Sequence, residues 1–232
     1  AVDKAESEPE LADEINHLAV KKLAEIALQH NTKLIHISTD YVFNGQNYKP
    51  YIETDKDSPQ SVYGETKLKG EQALLAEMPN NALIIRTSWV YSEYGNNFVK
   101  TMLRLGKERD ALNVIFDQVG TPTYAHDLAQ TIMKIVNSDT FQQANVNSEL
   151  YHYSNEGVCS WYDFAKAIFE LSNTSCNVSP IETKDYPTPA TRPHYSLLNK
   201  AKIKQEFNLT IPYWKDSLQH CLSNIAQQEQ EK

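Results

Sequence analysis

The chain has 232 residues, a formal net charge of −8 and 41% hydrophobic residues, enough for one large or two small domains with a buried core. No apolar run approaches the ~20 residues of a membrane span, and the acidic, polar start does not resemble a signal peptide. The negative charge disfavours a general nucleic-acid binder. We therefore expect a cytoplasmic protein with neither a membrane nor a nucleic acid as partner.

The three cysteines, Cys159, Cys176 and Cys221, are odd in number and widely spaced. This pattern fits neither a disulfide framework nor a zinc site. We interpret them as reduced thiols, as is usual in the cytoplasm.

The first part of the chain alternates helices and strands. The patterns predict a helix from Pro9 to about Gln29, a strand at Lys33–Ile37, a helix from Val62 to about Glu77 and a strand at Ala82–Arg86. Such alternation is typical of a parallel, doubly wound sheet. The apolar positions of the first helix lie close to a 3.6-residue period: Leu11, Ile15, Leu18, Ala19, Leu23, Ile26 and Ala27.

From about Asn113 onward the predicted elements are smaller and more mixed, which indicates a second, smaller lobe covering residues 113–232. Its elements can interleave with those of the first domain, residues 1–112. Only the tail, Gln227–Lys232, has a disordered pattern. The elements predicted after Tyr91 are helices from Asn96 to about Lys107, Ala125–Val136 and Trp161–Leu171, strands at Asn113–Phe116, Leu150–Tyr153 and Val178–Ile181, and two helices near the C-terminus.

Tyr63 and Lys67 form a Tyr-x-x-x-Lys pattern at the start of a predicted helix. Residues at i and i+4 share one helix face, and a nearby ammonium lowers the pKa of a phenol from about 10. Such a tyrosine can exchange a proton with a substrate oxygen. About one such pattern is expected by chance in a chain with 13 tyrosines. A second one, Tyr162 to Lys166, is interpreted as a half-buried tyrosine on a surface helix.

Thr39 distinguishes the first pattern from the second. It ends a predicted buried strand, and ligands of doubly wound sheets bind at the carboxyl ends of strands. Taken alone, Thr39 is a hydroxyl that caps a turn. Taken with Tyr63 and Lys67, it predicts a site where a hydroxyl and a phenol meet one carbonyl oxygen.

Seven further strings are spread over the whole chain: AVDKAESEPE, HISTDYVFNG, VYGETKLKGE, RTSWVY, GNNFVKTMLR, DQVGTPT and PTPATRPHYSLLN. Together they resemble the dTDP-4-dehydrorhamnose reductase family of extended short-chain dehydrogenases/reductases. The resemblance implies a partial Rossmann-like doubly wound parallel sheet and a smaller, mixed α/β substrate-binding lobe. It also implies reduction of the 4-keto group of dTDP-6-deoxy-L-lyxo-4-hexulose to dTDP-L-rhamnose by NADPH or NADH.

By this resemblance Tyr63 is the general acid and Thr39 orients the ketone. Lys67 binds the nicotinamide ribose hydroxyls with Tyr63 and lowers the tyrosine's pKa. Asp40 and Tyr41 are expected at the pocket floor.

Further substrate ligands are expected on later elements. Trp89 packs on the sugar ring or, alternatively, in the core. Asn97 precedes a helix whose N-terminus can bind the diphosphate. Lys100 and Arg104 on that helix either bind phosphate or form a solvated face. Arg192 is a second candidate for the phosphates, and Gln118 lies in a loop expected to line the pocket.

The chain departs from the family in its glycines. None of the seven forms the G-x-x-G-x-x-G turn that approaches a cofactor pyrophosphate. The resemblance implies that about 60 residues precede Ala1 in full-length members and carry most of the dinucleotide site. We expect the 232-residue chain by itself neither to bind NADPH nor to turn over, and to expose a sheet edge that favours aggregation.

Several alternatives remain open at this point. The parent protein could be another nucleotide-sugar reductase or epimerase, or a non-catalytic subunit like the regulatory subunit of methionine adenosyltransferase. Mg²⁺ is associated with some relatives, but no ligand spacing assigns a metal site. A homodimer is consistent with the family.

Overall fold

A computed structural model describes residues 1–230. The helices are α1 Val2–Ser7, α2 Pro9–Asp13, α3 Ala19–Gln29, α4 Val62–Glu77, α5 Phe98–Glu108, α6 Ala125–Val136, α7 Asp139–Gln142, α8 Trp161–Leu171, α9 Ala201–Phe207 and α10 Trp214–Gln230. The strands are β1 Leu34–Thr39, β2 Ala82–Thr87, β3 Val90–Tyr91, β4 Ala111–Ile115, β5 Val119–Gly120, β6 Thr123–Tyr124, β7 Glu149–His152, β8 Cys159–Ser160 and β9 Asn177–Ile181.

The chain folds into two compact units whose segments alternate along the sequence. The first unit comprises Ala1–Thr87, Met133–Tyr153 and Thr188–Leu209; the second comprises Ser88–Ile132, Ser154–Pro187 and residues from Thr210 onward. Residues 88–112, expected in the first domain, pack in the second unit. The reason is local, since β3 pairs with β6 and α5 packs against α8 there.

The first unit contains a parallel sheet in the order β1-β2-β7, in agreement with the predicted doubly wound class. β2 is buried along its whole length, as its apolar run indicated. The strand predicted at Leu150–Tyr153 forms as β7, but it pairs with β2 rather than joining the second lobe. A local sequence pattern can predict that a segment forms a strand, but it cannot predict the pairing partner, which lies far away in sequence.

The predicted helix from Pro9 to Gln29 forms as α2, a π turn at Glu14–Leu18 and α3, but most of its apolar positions are exposed. Ile15 and Leu23 are 58% and 55% exposed. The helix packs on α4 mainly through small residues. The two elements approach so closely that a Cβ on Gly70 of α4 would overlap the carbonyl oxygen of Asn16. The buried residues are Ala12, Val20, Ala24 and Ala27, and the other exposed apolar ones are Leu11, Leu18 and Ile26.

The second unit has a core of α5, α8 and α10 side chains around the fully buried Phe164. β4 and β9 form a parallel pair, and β5 and β8 form an antiparallel pair.

The predicted disorder of the tail is wrong for residues 227–230, which continue α10. Residues 231 and 232 lie outside the described part of the chain. Within the described residues, no helix combines the length and apolar character needed to cross a membrane.

Candidate active site

Thr39 ends β1, and its side chain organises the turn that follows. Its Oγ1 accepts a hydrogen bond from the Tyr41 backbone N–H at 3.2 Å and donates one to Oδ1 of Asp40 at 3.0 Å. Thr39 and Asp40 are 5% and 2% exposed. The Thr39 hydroxyl therefore caps a turn, and it does so at the end of β1, where the sequence predicts a site.

The start of α4 packs directly on this turn. The Ser61 Oγ caps the helix by accepting from the Gly64 backbone N–H at 3.1 Å. Gly64 is required because a Cβ there would overlap the carbonyl oxygen of Tyr41. The Tyr63 ring consequently meets the Tyr41 ring edge-on, with centroids 5.5 Å apart.

Tyr63 and Thr39 are close enough to interact electrostatically. Burial raises the pKa of Tyr63 above its ordinary value, and hydrogen bonding with the Thr39 side chain opposes this increase. The direction differs from the lowered pKa expected from Lys67. A buried phenolate is poorly solvated, and the Lys67 ammonium is directed elsewhere in this structure.

Lys67 lies one helical turn after Tyr63 and is 9% exposed. Its Nζ donates to the carbonyl oxygen of Ile37 at 2.7 Å and lies 3.4 Å from Nε2 of His36. Burial lowers the pKa of Lys67, and the Glu71 carboxylate opposes this effect. The ammonium is thus tied to β1, directly below the helix that carries it.

Glu71 is itself locked by a buried ion pair with Arg86 of β2. The Arg86 Nε donates to Oε1 of Glu71 at 2.9 Å and its Nη2 donates to Oε2 at 2.6 Å. Arg86 Nη2 also contacts Asp57 at 2.8 Å. A charge-assisted, two-point contact of this kind fixes α4 against the sheet.

Asp40 is a buried acid next to the proposed ketone-orienting hydroxyl. Burial raises the pKa of Asp40 to about 7, and hydrogen bonds from Thr39 and Ser196 limit the shift. An acid with such a pKa carries a proton in much of the population near neutral pH. Asp40 therefore differs from the fixed anion that its residue type suggests.

Two cavities of the first unit adjoin these residues. One of about 160 Å³ is lined by Tyr63 together with Lys4, Glu8 and Asn16. Another of about 10 Å³ is lined by Tyr41 and residues of neighbouring loops, namely Phe43, Asn44, Gln60, Ser61, Thr191 and Pro193. The cavity beside Tyr63 is the larger of the two, and the one beside Tyr41 has room for about one water molecule.

Arg192, a predicted phosphate ligand, belongs to the same unit. Its Nη1 and Nη2 donate to the two carboxylate oxygens of Asp3 at 2.9 and 2.6 Å. The Arg192 guanidinium holds the pKa of Asp3 below its ordinary value, and its charge also affects Tyr41. The structure places Arg192 near Tyr41, in a two-point contact with a carboxylate.

Trp89 lies in the second unit with a strained backbone. Its φ of +49° is in the left-handed region, which is uncommon for a bulky residue. Trp161 stacks on the indole with ring centroids 3.7 Å apart, and the Thr123 backbone N–H donates to the Trp89 carbonyl oxygen at 3.1 Å. Strain of this kind persists only where the surroundings enforce it and is concentrated at functional sites.

The candidates on α5 make local contacts. The Asn97 Oδ1 caps the helix by accepting from the Lys100 backbone N–H at 3.2 Å. Lys100 Nζ donates to the Glu93 carbonyl oxygen at 3.3 Å. Arg104 forms an exposed i,i+4 ion pair with Glu108 at 3.0 Å. These contacts also occur on solvated helices, so a substrate role for the three residues stays a prediction.

Gln118 is buried, 3% exposed, and its Nε2 donates to Oγ1 of Thr183 at 3.1 Å. The neighbouring Asp117 accepts from the Thr183 backbone N–H at 2.9 Å. These bonds tie the DQVGTPT loop to the segment after β9. Gln118 therefore has a structural contact here, and its substrate role also stays a prediction.

Comparison with known proteins identifies the family. The family model described as the RmlD substrate binding domain matches residues 1–227. The dTDP-4-dehydrorhamnose reductase of Escherichia coli K12 is 45% identical over 97% of this chain and 76% of that protein, and that of Aggregatibacter actinomycetemcomitans is also 45% identical, over the same shares. The chain belongs to the dTDP-4-dehydrorhamnose reductase family.

Solved structures of this reductase family have the same fold. A dTDP-4-dehydrorhamnose reductase from Clostridium acetobutylicum is 41% identical, with a TM-score of 0.91 over 97% of this chain and 78% of that chain. The enzyme from Bacillus anthracis in complex with NADP is 40% identical, with a TM-score of 0.89 over 96% and 76%. The predicted family and fold class are confirmed.

The second Tyr-x-x-x-Lys pattern has the structure predicted for it. Tyr162 is partly buried and Lys166 is exposed on α8. Ser160, which ends β8 directly before α8, caps that helix by accepting from the Asp163 backbone N–H at 3.1 Å. β8 belongs to a two-stranded antiparallel pair, whereas Thr39 ends a strand of the parallel sheet, which separates the second pattern from the one at Tyr63.

Sequence reasoning missed several residues that surround the three candidates. Asn16, on the π turn, donates from Nδ2 to Oγ1 of Thr66 at 3.1 Å, and Thr66 donates to the carbonyl oxygen of Tyr63 at 3.1 Å. Asp3 and His36 contact Arg192 and Lys67. Asp3 and His36 lie within the family-like strings, which was the available signal; nothing marked Asn16.

In the described part of the chain, no group of three or more His, Cys, Asp or Glu side chains is arranged to hold a metal ion. The described residues include candidate partners for only one part of the cofactor expected for the reductase family. Tyr63 and Lys67 offer hydroxyl and ammonium groups to a nicotinamide ribose, whereas no glycine-rich turn for a pyrophosphate occurs in the sequence.

Proposed function

We propose that the protein carrying this chain reduces the 4-keto group of dTDP-6-deoxy-L-lyxo-4-hexulose with NADPH and forms dTDP-L-rhamnose. The observation that carries the proposal is that the Tyr63 ring packs edge-on against Tyr41, within the turn that Thr39 organises at the carboxyl end of β1. The names of relatives 45% identical to the chain support the substrate.

Thr39 and Tyr63 act on the ketone oxygen. Thr39 hydrogen-bonds the oxygen and orients it, while Tyr63 donates the proton. The raised pKa of Tyr63 keeps its phenol protonated before the reaction, which is the state a general acid requires. The hydride is supplied by NADPH when it is bound.

Lys67 would compensate the charge that appears on Tyr63 when its proton leaves. A cation near a phenolate favours the ionised form, and Lys67 is one helical turn away on the same face. Two of its ammonium protons have acceptors on β1, and its third has none among the described residues. That third proton is available to a ribose hydroxyl or to Tyr63.

We assign substrate contacts to two segments of the first unit, the turn after β1 and the segment that contains Arg192. Tyr41 lines a cavity, and Asp40 is a protonatable neighbour of Thr39. Arg192 already holds a carboxylate through two nitrogens, which is also how guanidinium groups hold phosphate. A diphosphate at Arg192 would have to exchange with Asp3. The remaining proposed ligands, Trp89, Asn97, Lys100, Arg104 and Gln118, belong to the second unit.

The test compares Tyr63→Phe with Tyr162→Phe, since the chain offers a matched tyrosine in the second pattern. Tyr63→Phe should lower kcat for NADPH oxidation roughly 100- to 10,000-fold, the usual contribution of general acid–base catalysis. The KM for the sugar nucleotide should change little, and Tyr162→Phe should keep wild-type turnover. Undiminished turnover in Tyr63→Phe would remove the proton donor. Substrate binding without turnover by the wild-type protein would favour a non-catalytic role.

A further inference from the structure

His36 lies directly below the Lys67 ammonium. The Nε2 of His36 is 3.4 Å from the Lys67 Nζ, and the Ile37 carbonyl oxygen is 2.7 Å from it. These three residues belong to α4 and β1 of the first unit. Because an ammonium has three donors and no acceptor, the His36 Nε2 must be the acceptor. The proton of the neutral ring is therefore on Nδ1.

His36 is suited to remain an acceptor. Burial and the positive charge of Lys67 lower the pKa of His36 to about 4, so its ring is neutral near neutral pH. The neighbouring acceptor is a backbone carbonyl, which side-chain substitution leaves in place. His36 is thus the one side chain among the described residues that accepts a hydrogen bond from this ammonium.

We propose that His36 is a positioning residue for Lys67, and that its Nε2 fixes the direction of the ammonium so that one N–H stays free for the reacting groups. This inference rests on the proposed function of Lys67. With both acceptors present, two of the three donors are fixed, and the third points in one direction. Without His36, the ammonium rotates about its single bond to the Ile37 carbonyl.

The first experiment determines which ring nitrogen of His36 carries the proton, and it does not depend on enzyme activity. Nitrogen-15 NMR of the histidine rings in the 232-residue chain, with His36 assigned by substitution, should show a protonated Nδ1 and an unprotonated Nε2 near neutral pH. Substituting Lys67→Met should change the His36 Nε2 shift, while Lys69→Met, on the exposed side of α4, should not. A protonated Nε2 in the wild-type chain would overturn the inference.

The second experiment measures kinetics in the complete enzyme. His36→Leu should lower kcat/KM for NADPH roughly 10- to 100-fold, the worth of a hydrogen bond to a charged group, with an unchanged KM for the sugar nucleotide. His36→Gln, whose amide oxygen can replace Nε2, should recover most of the loss. His30→Gln, at the exposed end of α3, is the control. In a Lys67→Met background, His36→Leu should cause no further loss.

The outcomes separate this inference from the function it rests on. A wild-type protein that does not reduce the 4-keto sugar refutes the proposed function, while the tautomer still tests the contact. An active wild type whose His36→Leu and His36→Gln variants lose equal activity refutes only the positioning role, since a merely structural residue would not be rescued by an acceptor.

Discussion

At the residue scale, the site depends on how burial sets protonation states. Tyr63 keeps its proton because a buried phenolate is costly, although Thr39 reduces that cost. Burial lowers the pKa of Lys67, and the Glu71 carboxylate opposes this effect. The sequence predicted which groups meet, but it could not predict these directions, because desolvation depends on neighbours that are distant in the chain.

Asp40 provides a pH test at this scale. Its pKa is raised from 3.8 to about 7 in the folded state, so the folded protein holds this proton to a higher pH than the unfolded chain. The free energy of unfolding should therefore fall as pH rises from about 4 to about 7 and stay level above that range. Asp40→Asn removes the titration and should be more stable relative to wild type at about pH 8 than at about pH 5.

Urea unfolding of wild type and Asp40→Asn at the two pH values measures this difference. Asp216→Asn, at the exposed start of α10, is the control, and it should show the wild-type pH dependence. An Asp40→Asn protein that loses stability equally at both pH values would show that the buried carboxyl is ionised throughout.

At the element scale, the close approach of the π turn positions α4, the helix that carries Tyr63 and Lys67. Gly70 has no room for a side chain because of the Asn16 carbonyl oxygen, and the Asn16 side chain is linked through Thr66 to the turn of Tyr63. Helical periodicity predicted these helices but not their contact. Small residues mediate it, while the larger apolar ones that dominate the pattern remain exposed.

Gly70→Ala should destabilise the protein by about 1–3 kcal/mol, the usual cost of overpacking, despite a gain of up to about 1 kcal/mol in helix propensity. The obstacle is a backbone oxygen, which moves only with its helix. Thermal unfolding compared with Lys69→Ala, an adjacent exposed position on α4, measures the effect. A Gly70→Ala protein as stable as wild type would show that the two helices separate readily.

At the scale of the whole molecule, the predicted sheet class and family are confirmed, and the residues taken for catalysis lie together in the first unit. The two-residue strands β3, β5, β6 and β8 were not predicted, because so short a segment has no periodicity. The Asp3–Arg192 pair joins residues 189 positions apart, a separation that no local pattern reveals.

The 232-residue chain contains Thr39, Tyr63 and Lys67, which we propose as the proton donor and its partners, and its sequence has no glycine-rich turn for a pyrophosphate. Titration calorimetry of this chain with NADPH should therefore show no binding at micromolar concentrations. Micromolar binding would mean that Tyr63, Lys67 and their neighbours suffice to hold the dinucleotide, and it would contradict the expectation drawn from the missing turn.

The central claim is that Thr39, Tyr63 and Lys67 catalyse reduction of a 4-keto sugar nucleotide. The most direct measurement is identification of the product formed from dTDP-6-deoxy-L-lyxo-4-hexulose and NADPH by the complete protein, beside its Tyr63→Phe variant. The account predicts dTDP-L-rhamnose from the wild type and almost none from the variant. An unreduced sugar, or equal amounts of product from both proteins, would contradict it.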